Sequence, residues 1–351
     1  MLFKYVAFHY LKNMLIILMG LSGLFAGLDF LMNATSLSSF NVKVLYVFFK
    51  WQEALSLLFP LANVFGGVWT KISFIKQNSI SAMYSLGVTR KELFKPFFLV
   101  GLFTYLVFLG LGFSPFATAK DSAKQLFSNS YDISETNDLF FKYDDSFVYI
   151  GKLIPQKYKI ENLTIFKMKD TEVIETFTSK EAWYNIHEWV ATDALKKTII
   201  EDAEGKKRLK IEKLVLLRTL KEYQPEILKS IYDGKALTLS DSVIAAKLLH
   251  HQGLESHSIR AEIYGKVFMP LFSIALLMIL LFNFPFHARY MNIAMTTTKA
   301  IGGTLFVWGI LFALLGIGKN GALNPEVAII SPIVLLWIYA LYSLGQSQKR
   351  I

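Results

Sequence analysis

QNSISAMYSLGVTRKELFKP, residues Gln77 to Pro96, is a polar and basic interruption between two long apolar segments. At helical spacing Ile80, Met83, Tyr84 and Leu86 to Gly87 form an apolar stripe, while Ser81, Ser85, Arg90 and Lys91 fall largely elsewhere. That is the pattern of a short amphipathic helix. Asn78 or Ser79 supplies an N-cap, Gly87 a C-terminal break, and Thr89 a cap for a second turn over Lys91 and Glu92 before Pro96 opens the next apolar segment. A helix lying on a membrane face fits this stretch, and composition alone fits an ordinary basic loop equally well.

The flanking segments establish the membrane. Hydrophobic residues make up 53% of the 351, with 30 Phe and a mean hydropathy of +0.40, more apolar than a soluble chain of this length requires. About 20 residues of helix cross a ~30 Å hydrocarbon core. Six runs are long enough: Met14 to Met32, Ala54 to Ile75, Phe97 to Pro115, Val267 to Phe286, Ala300 to Ile317 and Val327 to Leu344. An even number puts both termini on one side. Lys4, Lys12, Lys71, Lys76, Arg90, Lys91, Lys95, Arg289, Lys349 and Arg350 fall on that side, whereas the short loops opposite carry Lys43, Lys50 and Lys319. By the positive-inside rule the termini and the Gln77 to Pro96 stretch are cytoplasmic. Much of the net charge of +10 then reports topology rather than nucleic-acid binding. The first run follows Lys4 and Lys12 as a secretory signal would, but its length and late start favour a retained helix. Without cysteine the chain has no disulfide, thiolate metal site or cysteine nucleophile.

Taken in order, the first span ends in LDFLMNATSLSSF, with Asp29 inside the apolar helix near its outer end, a costly place for an ionisable group. The second holds Pro60 and Gly66-Gly67, compatible with close packing or a kink, and has Trp51 and Trp69 near its ends. From Ala117 to about Arg260 the chain turns polar, and alternation in SFVYIGKL, NLTIFKMKD, EAWYNIHEWVA, KTIIEDAEG and KRLKIEKLVLL predicts successive strands, with a hairpin at Glu204-Gly205. A short helix follows in LTLSDSVIAAKLLHHQG, ending at Gly253, and then Glu262 and Lys266 are spaced to pair. A short cytoplasmic loop around His287, Arg289 and Tyr290 joins the fourth and fifth spans. The expected fold is a membrane α-helical bundle of six transmembrane helices with an inserted all-β, jelly-roll-like periplasmic domain. Its parts are residues 1–116 (three spans, with the cytoplasmic helix at about 78–93), 117–240 (β-domain), 241–262 (linking helix) and 263–351 (three spans).

No P-loop, strand-associated G-x-G-x-x-G or G-x-S-x-G motif is present. His250, His251 and His257 lack H-E-x-x-H spacing, and Asp29 stands nearly alone among intramembrane acids. Transport or scaffolding is therefore favoured over an enzyme, with no metal site.

Three spans, an external β-domain and three more spans, together with SISAMYSLGVTRKEL, FVYI at Phe147 to Ile150, the strand around Glu181 to Val190 and KVFMPL at Lys266 to Leu271, resemble the LptF/LptG permease family of the lipopolysaccharide exporter. LptG is the nearer of the two subunits, on LSDSVIAAKLLHHQG and FVYI. The resemblance implies a non-catalytic permease subunit of an ABC exporter that extracts lipopolysaccharide from the bacterial inner membrane. Its partners would be an LptB-like ATPase dimer, a homologous LptF (or LptG) subunit and an LptC-like periplasmic bridge protein. No cofactor is expected on this chain, since ATP and Mg belong to the ATPase. Ser79, Ile80, Met83, Tyr84, Gly87, Arg90, Lys91 and Glu92 would form the coupling helix that docks on the ATPase. The family usually has Glu where this chain has Ile80, and Glu92 is a candidate substitute. The first and fifth spans would flank a lateral gate, and Asp29, Lys43, Lys50 and Lys319 are candidates for lipopolysaccharide contact, interfacial anchoring being the alternative. The β-domain would pair edge to edge with its bridge partner. Phe147, Tyr149, Ile165, Trp183 and Trp189 are candidates to meet acyl chains or to pack a core. The competing readings are the LptF-type subunit and a membrane-anchored signalling or scaffold protein with an external β-domain.

Overall fold

The computed structural model describes residues 2–126, 135–169, 172–201, 207–233, 236–251, 254–283 and 292–349. In chain order the elements are α1 (Leu2–Asn33), α2 (Phe40–Lys76), α3 (Ser79–Ser85), α4 (Arg90–Leu111) and α5 (Ala119–Gln125). Then come β1 (Thr136–Tyr143), β2 (Ser146–Ile154), β3 (Lys159–Lys169), β4 (Glu172–Asn185), β5 (Glu188–Glu201) and β6 (Lys207–Thr219). They are followed by α6 (Pro225–Asp233), α7 (Leu239–His251), α8 (His257–Val267), α9 (Phe272–Asn283), α10 (Ile293–Lys319) and α11 (Ser331–Lys349). The chain divides into two compact units, 1–123 with 256–351, and 124–255. The Glu204-Gly205 hairpin, the helix end at Gly253 and the loop at His287, Arg289 and Tyr290 lie outside the described residues.

Among the described residues, six helical segments of the first unit are long and apolar enough to span: α1, α2, α4, α8 with α9, α10, and α11 with the π-turn Glu326–Ile330 before it. Several overrun the apolar runs that announce them. At 1.5 Å per residue α2 is about 55 Å long, well beyond a ~30 Å core. It starts at Phe40 because Ser39 accepts a hydrogen bond from the Val42 N–H at 3.4 Å as N-cap. Lys43 and Lys50 therefore sit in the first turns of a helix and not in a short outer loop. The run 241–262 contains nearly all of α7 and the start of α8, and Glu262 and Lys266 pair at 2.7 Å as their spacing predicts.

Close approach and polar bonds hold this unit together. A Cβ on Gly66 would lie 2.6 Å from the Met14 Cα, and one on Gly67 would lie 2.4 Å from a Leu277 methyl. The glycine pair is thus a packing device. Tyr10 donates its hydroxyl to the Asn63 carbonyl at 3.0 Å and to the Asn63 side-chain oxygen, and Asn63 Nδ2 donates to Ser273 Oγ at 3.2 Å. Asn13 Nδ2 donates to Thr70 Oγ1 at 2.9 Å. Such interhelical bonds contribute about 0.6 kcal/mol each on average. Buried Lys71 donates to the Leu281 carbonyl of α9 at 2.5 Å.

The second unit holds one antiparallel sheet, in which each strand pairs with its sequence neighbours from β1 to β6. β1 and α6 carry no clear sequence signal. Within EAWYNIHEWVA the chain turns, β4 ending at Asn185 and β5 starting at Glu188. Ile186 takes a φ of 57° there, a left-handed conformation that a β-branched residue seldom adopts. A row of irregularity crosses all six strands at one level. Asp138, Asn162 and Asp193 have φ of 56, 56 and 52°, and the registers set them beside Gly151, Lys180 and Val215. Buried positions change parity across the row: Thr136 but Leu139 and Phe141, Ile160 but Leu163 and Ile165, Trp189 and Ala191 but Ala194. An unpaired residue in a ladder flips the alternation and bends the strand, so both halves turn their apolar groups to one side. α6 covers that side at β1 and β2, where Ile227 and Leu228 are fully buried, and Trp189 Nε1 donates to the Tyr223 carbonyl at 2.7 Å.

Asx residues tolerate the left-handed region and β-branched ones do not. Asn162→Val is expected to destabilise the full-length protein by about 1–2 kcal/mol. Asn162→Gly should be close to neutral in the same thermal melt in detergent. Equal midpoints for Asn162→Val and the parent would show that the bend does not need this backbone.

Candidate coupling surface and outer ionic cluster

α3 is bounded by local signals at each end. Asn78 turns the chain sharply with a φ of 54° and no side-chain cap, so Ser79 is the first helical residue. At the other end the Gly87 N–H bonds the Tyr84 carbonyl at 3.0 Å and the Val88 N–H bonds the Met83 carbonyl at 3.1 Å. With Gly87 at φ +81° this is a Schellman motif, which here requires glycine. Two residues on, Thr89 accepts from the Glu92 N–H at 3.3 Å while Glu92 accepts from the Thr89 N–H at 2.9 Å, a reciprocal capping box. Helix, tight turn and helix are thus specified within some fifteen residues, and Val88 and Leu93 join the same apolar cluster of the bundle.

The orientation of α3 sorts the sequence candidates. Ile80, 1% exposed, and Met83 face inward against that cluster. Ser79, Tyr84 and Arg90 are half-buried, while Gly87, Lys91 and Glu92 are exposed. Glu92 is occupied by the Thr89 cap. Burial pushes the Tyr84 hydroxyl up to about 12, and the positive charge of the nearby Arg90 guanidinium partly opposes that. Leu86, in contrast, is 83% exposed at the tip of the turn, flanked by Ser85 and open space beside Gly87. The stripe drawn from spacing included Leu86 without distinguishing it from Ile80 and Met83. Its signal is positional: the residue before a left-handed glycine is the C-cap, which the turn swings off the helix face.

At the other end of α1 and α2 the acidic and basic residues satisfy one another. Asp29 accepts the Tyr46 hydroxyl and lies 3.5 Å from Lys50 Nζ, which also pairs with Glu53 at 3.0 Å. Asn33 Nδ2 donates to the Asp29 carbonyl at 2.8 Å, and Trp51 Nε1 donates to Ser22 Oγ at 3.0 Å. Two carboxylates around one ammonium leave this cluster net acidic, and it bolts α1 to α2. Lys43 is half-buried on the first turn of α2, and Lys319 is exposed at the end of α10. The four residues are not brought into one site; only Asp29 and Lys50 meet. In the sheet, Ile165 and Trp189 belong to the core, Phe147 and Tyr149 are half-buried and Trp183 is exposed. Among the described residues no three His, Asp or Glu side chains converge as a metal site would require.

The protein family described as the lipopolysaccharide export system permease LptF/LptG matches this chain over residues 4–346. No curated protein matches it.

Proposed function

The chain belongs to the lipopolysaccharide export permease family LptF/LptG, and on that premise we propose that it is the LptG-type transmembrane subunit, coupled through α3 to a separate ATPase. The observation that carries this reading is the α3 turn. An exposed leucine at the tip of a glycine-closed turn, between α3 and the capped start of α4 with its exposed Lys91 and Lys95, suits a groove on a soluble partner. The excess of Lys and Arg at this end of the spans favours a cytoplasmic position. Without a nucleotide motif of its own, the chain would draw its energy from the partner, with ATP and Mg bound there. Ile80 anchors α3 to the bundle, so the acidic contact usual at its position is replaced by apolar docking through Leu86. The α7 helix and the FVYI strand of β2 favour LptG over LptF.

α1 and α10 are the least covered of the six spans, with 22% and 17% of their most apolar windows buried. Gly20, Gly23 and Gly27 on α1, and Gly302, Gly303, Gly309 and Gly316 on α10, have open space beside them. These faces suit the gate and the homologous partner subunit. Since Lys50 is held by two carboxylates, Lys43 and Lys319 are the better candidates for lipid phosphates. The β6 edge, with Leu209, Ile211 and Val215 exposed, suits strand addition by an LptC-like bridge protein in the periplasm.

The test is release of lipopolysaccharide from proteoliposomes holding this chain, its partner subunit and the ATPase. ATP-dependent release into a soluble acceptor is expected. Equal release without ATP, or none with the assembled complex, would overturn the proposal.

A further inference from the structure

Next to the coupling surface, a cleft of about 200 Å³ opens between α4, α9 and α11. Every residue lining it is Phe, Leu, Ile or Met except Lys91 and Lys95. The lysines stand one helical turn apart on the first two turns of α4, both exposed, which puts their ammonium groups at the headgroup level of a bilayer crossed by α4. Glu92, the acidic residue between them in sequence, is held by the Thr89 cap. Deeper in, Phe98, Ile274 and Met278 continue the wall, and Phe98 meets the Trp337 ring edge-on at 6.5 Å.

We propose that this cleft binds one anionic phospholipid of the adjoining leaflet, its phosphate on Lys91 and Lys95 and an acyl chain along Phe98, Ile274 and Met278. Charge and depth select this occupant together. A basic mouth at a membrane interface attracts acidic headgroups, and a dry apolar wall below it takes a hydrocarbon tail but offers nothing to a soluble phosphate. A transmembrane helix of a partner would cover the apolar wall but bring no anion to the mouth, where two lysines face the single nearby carboxylate of Glu92. The inference is independent of the export reading, since it needs only a bilayer around α4, α9 and α11.

Delipidated full-length protein, without ATPase or partner, is given equal amounts of phosphatidylglycerol and phosphatidylcholine, and retained lipid is counted by native mass spectrometry. One phosphatidylglycerol is expected to remain in preference to phosphatidylcholine. Lys91→Gln with Lys95→Gln should lower its retention roughly 30-fold, the effect of two lysines near an anionic surface. Both side chains are exposed, so this variant should keep the parent's elution and melting. Met278→Trp, which fills the cleft and leaves the lysines in place, should also displace the lipid. Equal retention of the two lipids by the parent, unchanged phosphatidylglycerol on the double variant, or unchanged binding with the cleft filled would each overturn the proposal. The first of these needs no variant at all.

Discussion

Leu86→Ser is expected to weaken capture of the ATPase about 10- to 100-fold while the chain folds as before. Leu86 is 83% exposed, and neither end of α3 depends on its side chain, since the Schellman bonds are made by backbone groups of Met83, Tyr84, Gly87 and Val88. Removing it therefore costs the single chain little. In a docked complex, burial of a leucine contributes about 1.5–3 kcal/mol, which is that range of affinity. Leu86→Met conserves volume and should stay close to the parent. Co-purification of the ATPase at matched expression measures the difference. Capture by Leu86→Ser equal to the parent would mean that the docking surface lies elsewhere.

Gly66→Leu is expected to abolish recovery of folded protein. A Cβ at Gly66 lies 2.6 Å from the Met14 Cα and 2.8 Å from its N, and backbone atoms of a helix cannot rotate aside. α1 would have to lift off α2, opening the contacts of Tyr10, Met14 and Leu18 and the Tyr10 bonds to Asn63. Overpacking of this kind costs about 3 kcal/mol or more where the neighbour is main chain. Gly20→Leu, on the same hairpin but with open space around its Cβ position, should fold normally. Size-exclusion profiles in detergent separate the outcomes: a monodisperse Gly66→Leu peak matching the parent would contradict the packing described for α1 and α2.

The sequence makes the spans legible because twenty apolar residues have few alternatives to crossing a bilayer. It does not show where α2 begins, since FNVKVLYVFFKWQE mixes lysines with apolar residues and reads as an outer loop until Tyr46 and Lys50 are seen engaging Asp29. Strand alternation shows in β2, β3 and β6. Between β4 and β5 the two central turn residues, Ile186 and His187, are neither the Gly nor the Asn that usually stands there, Asn185 lying one position earlier. The bend line is invisible along the chain for a similar reason: Asp138, Asn162 and Asp193 look like ordinary polar positions, and only the registers align them. Between α3 and α4, Gly87 and Thr89 announce the break and the cap correctly. Two turns of α3 are too short for spacing to decide which side faces the bundle, so the inward Ile80 and Met83 were not distinguishable from the outward Leu86.

The coupling of a non-hydrolysing permease to a separate ATPase is the central claim, and one experiment addresses it directly. The tagged full-length chain is extracted in detergent from cells expressing the exporter subunits, and the eluate is assayed for an ATPase subunit and for ATP hydrolysis with and without lipopolysaccharide. The expected result is a co-purifying ATPase whose hydrolysis rises when lipopolysaccharide is added and is lost from the eluate with Leu86→Ser. An eluate with no ATPase subunit and no lipopolysaccharide-stimulated hydrolysis would contradict it.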